Sequence, residues 1–466
     1  MRGSRALAIG LLAFATGALI GLDASGLVKG PLGSALARDG FADEQSAAAL
    51  PQGAVLTPVL ASSSTITSAP PSAAGLAKAL KPVISSPALG SDVAVVVADA
   101  TDGSIVYSVQ PTKAQTPAST TKLLTAVTAL TLLGPNETLT TKVVDAGSSI
   151  VLVGGGDPTL TTTRVRGAAV ASLEQLASAT ATELLKAKRT SVVLRFDDSL
   201  FTGPTTAPSW PATYVSSGVV APVTALRADG GRINPRSDAR ASDPSALAAQ
   251  RFARALATRG VSVKGAVTRA TAPTGAPNLA SVQSPSVSDI VESMLTTSDN
   301  DVAEDLAHLT GVKAGVGGTF EGGATATRLT LNRLGLPTAG LTLNDGSGLS
   351  RDNRVGPTTL AGAITESAGA DQTGLRSALS GLPVAGFTGT LADRFDTSAT
   401  RPGRGVTRGK TGTLSGVSSL AGMVVDASGR PLVFVVMADG LPAGGNEAAQ
   451  VASDRIAAVL ASCGCR

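Results

Sequence analysis

Histidine is almost absent from this chain: His308 is the only one among 466 residues. That excludes His-rich zinc sites and the His-Glu-x-x-His protease helix, and a Ser-His-Asp triad could only use His308. The helical pattern sets His308 among Ala303, Leu306, Ala307 and Leu309, the surroundings of an ordinary partly buried or helix-end histidine. Cysteine is scarce as well, with Cys463 and Cys465 forming a Cys-Gly-Cys at the extreme C-terminus. No pair is placed to cross-link a core, and one Cys-x-Cys supplies too few ligands for a metal site, so the pair reads as an incidental tail, with a local disulfide as the alternative. Aromatics are 3% and charged residues 15% of the chain, with a net charge of +4. Without a dense Lys/Arg stripe, nucleic acid is not an expected partner. Hydrophobic residues are plentiful at 43%, which excludes disorder over most of the length and allows a sizeable core. The length suits two or three domains. No internal repeat is visible.

The N-terminus carries an export pattern. Arg2 and Arg5 precede the uncharged apolar run Ala6 to Leu22, so residues 1–22 read as a signal peptide or an uncleaved N-terminal anchor. Ala35-Leu36-Ala37 resembles a cleavage site but lies well past the run. Residues 23–75, with Pro51, Pro58, Pro70 and Pro71 among Ser, Thr and Ala, read as a flexible linker. From Leu76 the text becomes that of a folded body. Val93–Ala98 and Ile105–Val109 flank the turn signal Asp102-Gly103, and helical spacing begins at Ser119. Near the other end, Leu420–Val425 and Leu432–Met437 flank Ala427-Ser428-Gly429-Arg430, and a last helix covers Glu447–Leu460. A hairpin and a helix at each end predict one sheet built from both ends of the chain. Residues 76–140 and 286–462 then form the core, and 141–285 an inserted domain.

Three short motifs carry chemistry. In Pro117-Ala118-Ser119-Thr120-Thr121-Lys122, Ser119 and Lys122 lie one helical turn apart on one face. A serine hydroxyl needs a base to become a nucleophile, and a lysine amine serves when burial or positive neighbours lower its pKa. Ser119 also sits at the helix start, where free N–H groups favour negative charge; alternatively it is simply an N-cap. In Ser298-Asp299-Asn300, Ser298 would relay a proton to a leaving amine, and Asn300 would orient the lysine and a substrate amide. The plain alternative is a cap opening a helix over Asp301–Leu309. In Lys410-Thr411-Gly412-Thr413, on an expected sheet-edge strand, Lys410 supplies positive charge and Thr411 and Thr413 bind a carboxylate. Gly412 would let a substrate backbone approach, and the N–H groups of Thr413 and Ser119 would form an oxyanion hole. Each motif alone is weak. The ordered set Ser-x-x-Lys, Ser-x-Asn, Lys-Thr-Gly is the signature of penicillin-interacting serine enzymes.

With these motifs the sequence resembles the class C penicillin-binding proteins, the D-Ala-D-Ala carboxypeptidases and endopeptidases of peptidase family S13. The spacing of 179 residues from Ser119 to Ser298 leaves room for that family's large insertion. Gly155 to Leu160 (with Asp157-Pro158-Thr159-Leu160), Asp197 to Phe201 followed by Trp210, Ala221 to Leu226, and Asp345 to Arg351 also look familial. The resemblance implies an α/β (α+β) fold: a β-lactamase/transpeptidase-like core, an antiparallel sheet flanked by helices, plus the insertion. It implies catalytic roles for Ser119, Lys122, Ser298, Asn300 and Lys410. Substrate binding falls to Thr411, Gly412 and Thr413, with Asp157, Ser347 and Arg351 as further candidates; Asp157 would meet the amino group of a diamino acid, or merely start a turn. The insertion is shorter than in the larger members.

The function implied is an exported, extracytoplasmic serine-type D-Ala-D-Ala carboxypeptidase, with endopeptidase action open. It would act on peptidoglycan peptides through an acyl-enzyme and be inhibited by β-lactams, without cofactor or metal. The competing readings are a β-lactamase, which needs a second base to activate water, and a non-catalytic wall-binding or sensor protein.

Overall fold

The computed structural model describes residues 68–465 apart from Pro235. The segment 1–22 and most of the linker therefore lie outside the described residues. Among the described residues, no helix is long and apolar enough to cross a membrane.

The central sheet has five antiparallel strands in the order β2-β1-β11-β10-β9. These are β1 (Asp92–Asp99), β2 (Ile105–Val109), β9 (Thr407–Leu414), β10 (Val417–Val425) and β11 (Pro431–Asp439). Both ends of the chain thus build one sheet, as the two hairpin patterns predicted, with β1 paired to β11 from Asp92↔Asp439 to Asp99↔Leu432. The three inner strands, β1, β10 and β11, read as nearly continuous apolar runs because both faces are covered. Period-two alternation sorts them. Val95, Val97, Leu420, Phe434 and Val436 face helices α1 (Ala73–Ile84) and α9 (Asn446–Ser462), while Ala94, Val96, Ala421, Val433 and Val435 face the helical region.

That region holds α2 (Thr121–Leu132), α5 (Val287–Thr297), α6 (Asn300–Lys313), α7 (Phe320–Arg333) and α8 (Pro357–Ala368). Helix α2 is buried almost all round, packing on α5, α6, α7 and α8. A second sheet comes from strands between Thr138 and Ser286, in the order β6-β5-β4-β3-β8 with β7 also on β5. Its strands are β3 (Thr138–Asp145), β4 (Ser149–Val153), β5 (Ser191–Asp197), β6 (Ser262–Val263), β7 (Thr268–Arg269) and β8 (Asn278–Ser286). Here β4 and β5 run parallel, the crossover being α3 (Leu173–Lys186), which packs with α4 (Pro244–Ala257) over its own apolar cluster.

Two expectations shift at the chain ends. The folded body, expected from near Leu76, opens with helix α1 at Ala73, where Ser72 caps it by accepting the Gly75 N–H at 3.0 Å. The C-terminal cysteines are not an incidental tail. They form the local disulfide, Cys463 is buried against the α1/α9 cluster, and the Cys465 carbonyl accepts the Ser72 N–H at 2.7 Å.

Candidate active site

Ser119 lies in a single 3-10 turn, Ala118–Thr120, that leads into α2. Ala118 has φ +49°, a region that costs a residue with a Cβ on the order of 1–3 kcal/mol, so the surroundings must hold it there. They do so from two sides. Ser419 on β10 donates to the Pro117 carbonyl at 2.6 Å, tying the turn to the sheet. Gly348 packs so closely on the Ala118 carbonyl that a Cβ would come within 1.9 Å. The hydroxyl of Ser119 caps nothing; it accepts a hydrogen bond from Lys122.

Lys122 is fully buried one turn on, and its Nζ donates to three oxygens: Ser119 Oγ at 3.0 Å, Asn300 Oδ1 at 2.8 Å and the Ser347 carbonyl at 2.8 Å. Burial lowers its pKa to about 8, against the opposing pull of Glu304, Asp345 and Asp299. Asn300 opens α6 and donates its own amide to the Val219 carbonyl at 3.0 Å. Ser298 ends α5 in the left-handed region at φ +61° and accepts from Lys410 Nζ at 2.8 Å. Asp299, between them, caps α6 through the Val302 N–H, so the short motif is both a helix junction and part of the cluster. Lys410 is fully buried too, and burial together with the neighbouring Lys122 charge holds its pKa well below the ordinary lysine value.

Strand β9 is the edge of the sheet. The Gly409 N–H points away from β10, to the Pro383 carbonyl at 2.9 Å. Period two then puts the N–H groups of Thr411 and Thr413 on the same outer edge, free to meet an extended peptide or an oxyanion. The Thr411 hydroxyl donates to Thr390 Oγ1 at 3.0 Å, and the Thr413 hydroxyl accepts from Gln450 at 3.3 Å. The cluster of Ser119, Lys122, Ser298, Asn300 and Lys410, beside an open strand edge, has what acyl transfer needs: a nucleophile, a buried amine against it, a second cation and outward N–H donors.

A model of the D-Ala-D-Ala carboxypeptidase 3 (S13) family matches residues 76–242 and 237–462. The chain belongs to that family. A carboxypeptidase of Mycobacterium tuberculosis is 37% identical over 413 residues, 86% of each chain. Carboxypeptidase DacB of Mycolicibacterium smegmatis is 35% identical over 407 residues, 85% of each chain. In fold, the chain is similar to the crystal structure of penicillin binding protein 4 from Haemophilus influenzae, with a TM-score of 0.68 at 22% identity, covering 82% of this chain and 97% of that one. The expected family, its serine-type D-Ala-D-Ala carboxypeptidase activity and the mixed α/β fold of antiparallel sheet and helices are all borne out.

Not every S13 site candidate sits as expected. Gly412 is also required by the packing beneath Ser119: a Cβ there would meet Ser419 Oγ at 2.1 Å and the Pro117 carbonyl at 2.6 Å. Ser347 reaches the cluster through its carbonyl, while its side chain is fully buried and accepts the Leu349 N–H. Asp157 is buried, accepts from the N–H and hydroxyl of Thr159, and leaves Oδ2 without a partner; none of its hydrogen bonds reaches the Ser119 cluster. Arg351 is exposed and donates to the Ser415 carbonyl in the turn after β9. His308 is buried in mid-helix between Phe201 and Phe320, and burial lowers its pKa to about 4.

The motifs did not reveal what holds the loop Asp345–Arg351 in place. Glu304 accepts the N–H groups of Gly346 at 3.0 Å and Ser347 at 2.8 Å. Asp345 accepts from Gly348, Ser350, Asn353 and the Trp210 indole. Thr125 donates to the Gly346 carbonyl at 2.6 Å. One signal was available: Glu304 stands four residues after Asn300, on the same helical face.

Proposed function

We propose that Ser119 is the nucleophile of this carboxypeptidase and Lys122 its base. The carrying observation is the three-way hydrogen bonding of Lys122 Nζ. A neutral amine has two N–H bonds and one lone pair. With Asn300 Oδ1 and the Ser347 carbonyl taking the N–H bonds, the lone pair faces the Ser119 hydroxyl and can accept its proton. Ser119 then attacks the carbonyl of the penultimate D-Ala, and the N–H groups of Ser119 and Thr413 receive the oxyanion. The proton held by Lys122 passes through Ser298, itself hydrogen-bonded to Lys410, to the departing D-Ala amine, so that Lys122 is neutral again and Ser298 unchanged. Lys410, Thr411 and Thr413 hold the terminal carboxylate, and water finally hydrolyses the ester.

The substrates are peptidoglycan stem peptides, and β-lactams acylate the same serine because their strained amide presents a similar carbonyl and carboxylate. The open edge of β9 would also admit a longer leaving group, which supports endopeptidase action. Arg351 contacts the substrate in this reading, supported by its exposure beside the β9 turn; Asp157 could do so only if its buried carboxyl became exposed. Residues 141–285 are an inserted domain. The protein works outside the cytoplasm, delivered by residues 1–22 as a signal or a membrane anchor.

The β-lactamase reading needs a second base for water, and the two carboxylates nearest Lys122 in this loop network, Glu304 and Asp345, each hold N–H groups of the Asp345–Arg351 loop on both oxygens. Incubation with a pentapeptide stem and with a cross-linked muropeptide, followed by mass spectrometry, tests the proposal. Release of D-Ala supports it, and cleavage of the cross-link adds endopeptidase action. Penicillin binding without any D-Ala release favours the sensor reading, and steady nitrocefin turnover favours the β-lactamase.

A further inference from the structure

Lys122 is held by one backbone carbonyl, that of Ser347, and the peptide group preceding that residue is gripped from both sides. Glu304 takes the N–H groups of Gly346 and Ser347, one on each carboxylate oxygen, while the Thr125 hydroxyl takes the Gly346 carbonyl. Glu304 and Thr125 are both buried, on α6 and α2 respectively. This grip sets the direction of the Ser347 carbonyl, which in turn fixes one of the two N–H bonds of the neutral amine.

We propose that Glu304 is a positioning residue for the Ser119–Lys122 pair: it fixes the Ser347 carbonyl that aims the Lys122 lone pair at Ser119. The inference rests on the reading of Lys122 as the base for Ser119. The charged groups facing Lys122 are Glu304 and Asp299 of α6, Asp345 of the loop and Lys410 of β9. The faces of α5, α7 and α8 against α2 contribute apolar residues such as Val291, Leu331 and Leu360. Glu304 itself feels Asp345, and it also acts on Arg227. Burial and Asp345 push the Glu304 carboxyl up to about 8, and Glu304 in turn favours the charged form of Lys122 against the effect of burial. A negative charge near the amine can only favour its protonated form; removing it lowers the pH at which the amine turns basic.

Glu304→Gln preserves shape and removes the charge, and its amide can accept only one of the two backbone N–H groups. Thr125→Val loosens the other side of the same peptide group with no change of charge. The measurement is the second-order rate of penicillin acylation at Ser119 from pH 5.5 to 9.5, with folding checked by thermal melting. For Glu304→Gln the expectation is a rate about 10- to 100-fold lower and an acid limb whose midpoint moves down by about one pH unit. For Thr125→Val it is a lower rate with an unmoved midpoint. A Glu304→Gln protein with the wild-type rate, or with a midpoint that is unmoved or higher, overturns the inference while leaving the Ser119 reading intact. A wild-type protein that takes no penicillin overturns the Ser119 reading and this inference with it.

Discussion

Lys410 Nζ donates to Ser298 Oγ at 2.8 Å, joining the edge strand to the α5–α6 junction across 112 residues of chain. The pair brings a second buried amine into the pocket of Lys122, and each serine has a lysine of its own. If Ser298 relays the proton to the leaving amine, Ser298→Ala and Lys410→Met each lower the rate of D-Ala release about 100-fold or more. Both keep the fold, since Ser298 is partly exposed and methionine fills the lysine volume. Steady-state kinetics on a pentapeptide check this, and a change of less than about threefold in either variant counts against the relay.

The acid limb of the pH profile follows from burial of Lys122. The ordinary value of 10.5 falls to about 8. The reactive form is the neutral amine, so the rate should rise with pH, falling about tenfold for each unit below 8 and levelling above it. Penicillin is the suitable probe because its carboxylate stays ionised over that range. A rate flat from pH 6 to 9 would mean that Lys122 is not the group that takes the proton.

Gly412→Ala tests the clamp beneath Ser119. The added methyl would have to sit 2.1 Å from Ser419 Oγ and 2.6 Å from the Pro117 carbonyl. The expected cost is about 1–3 kcal/mol of stability, with slower acylation because the strained turn at Ala118 shifts. Ser419→Ala in the same chain removes the first clash and should return part of the lost melting temperature. An unchanged melting temperature and acylation rate in Gly412→Ala would show that β9 can move away without consequence.

Much of this molecule was readable in its sequence, for local reasons. Valine-rich apolar runs around turn signals gave the hairpins, and Ser119, Lys122, Ser298, Asn300 and Lys410 stood in short motifs whose spacing suited one helix face, one junction and one strand. What stayed hidden depends on contacts between distant segments. Gly412 is a glycine because of Ser419 and Pro117, which only the β9–β10 register brings beside it. Ser347 acts through its backbone, which no side-chain pattern reveals. Asp157, Glu304 and Cys463 are buried by tertiary packing, and their text alone looks like a turn, a helix face and a tail.

The most direct test of the account is intact-mass measurement of the protein after exposure to penicillin, beside Ser119→Ala treated identically. One penicillin mass added to the wild-type chain, located on Ser119 and absent from a well-folded variant, is the predicted result. A well-folded wild-type chain with no adduct, or a variant that carries the same one, would contradict the assignment of Ser119 as nucleophile.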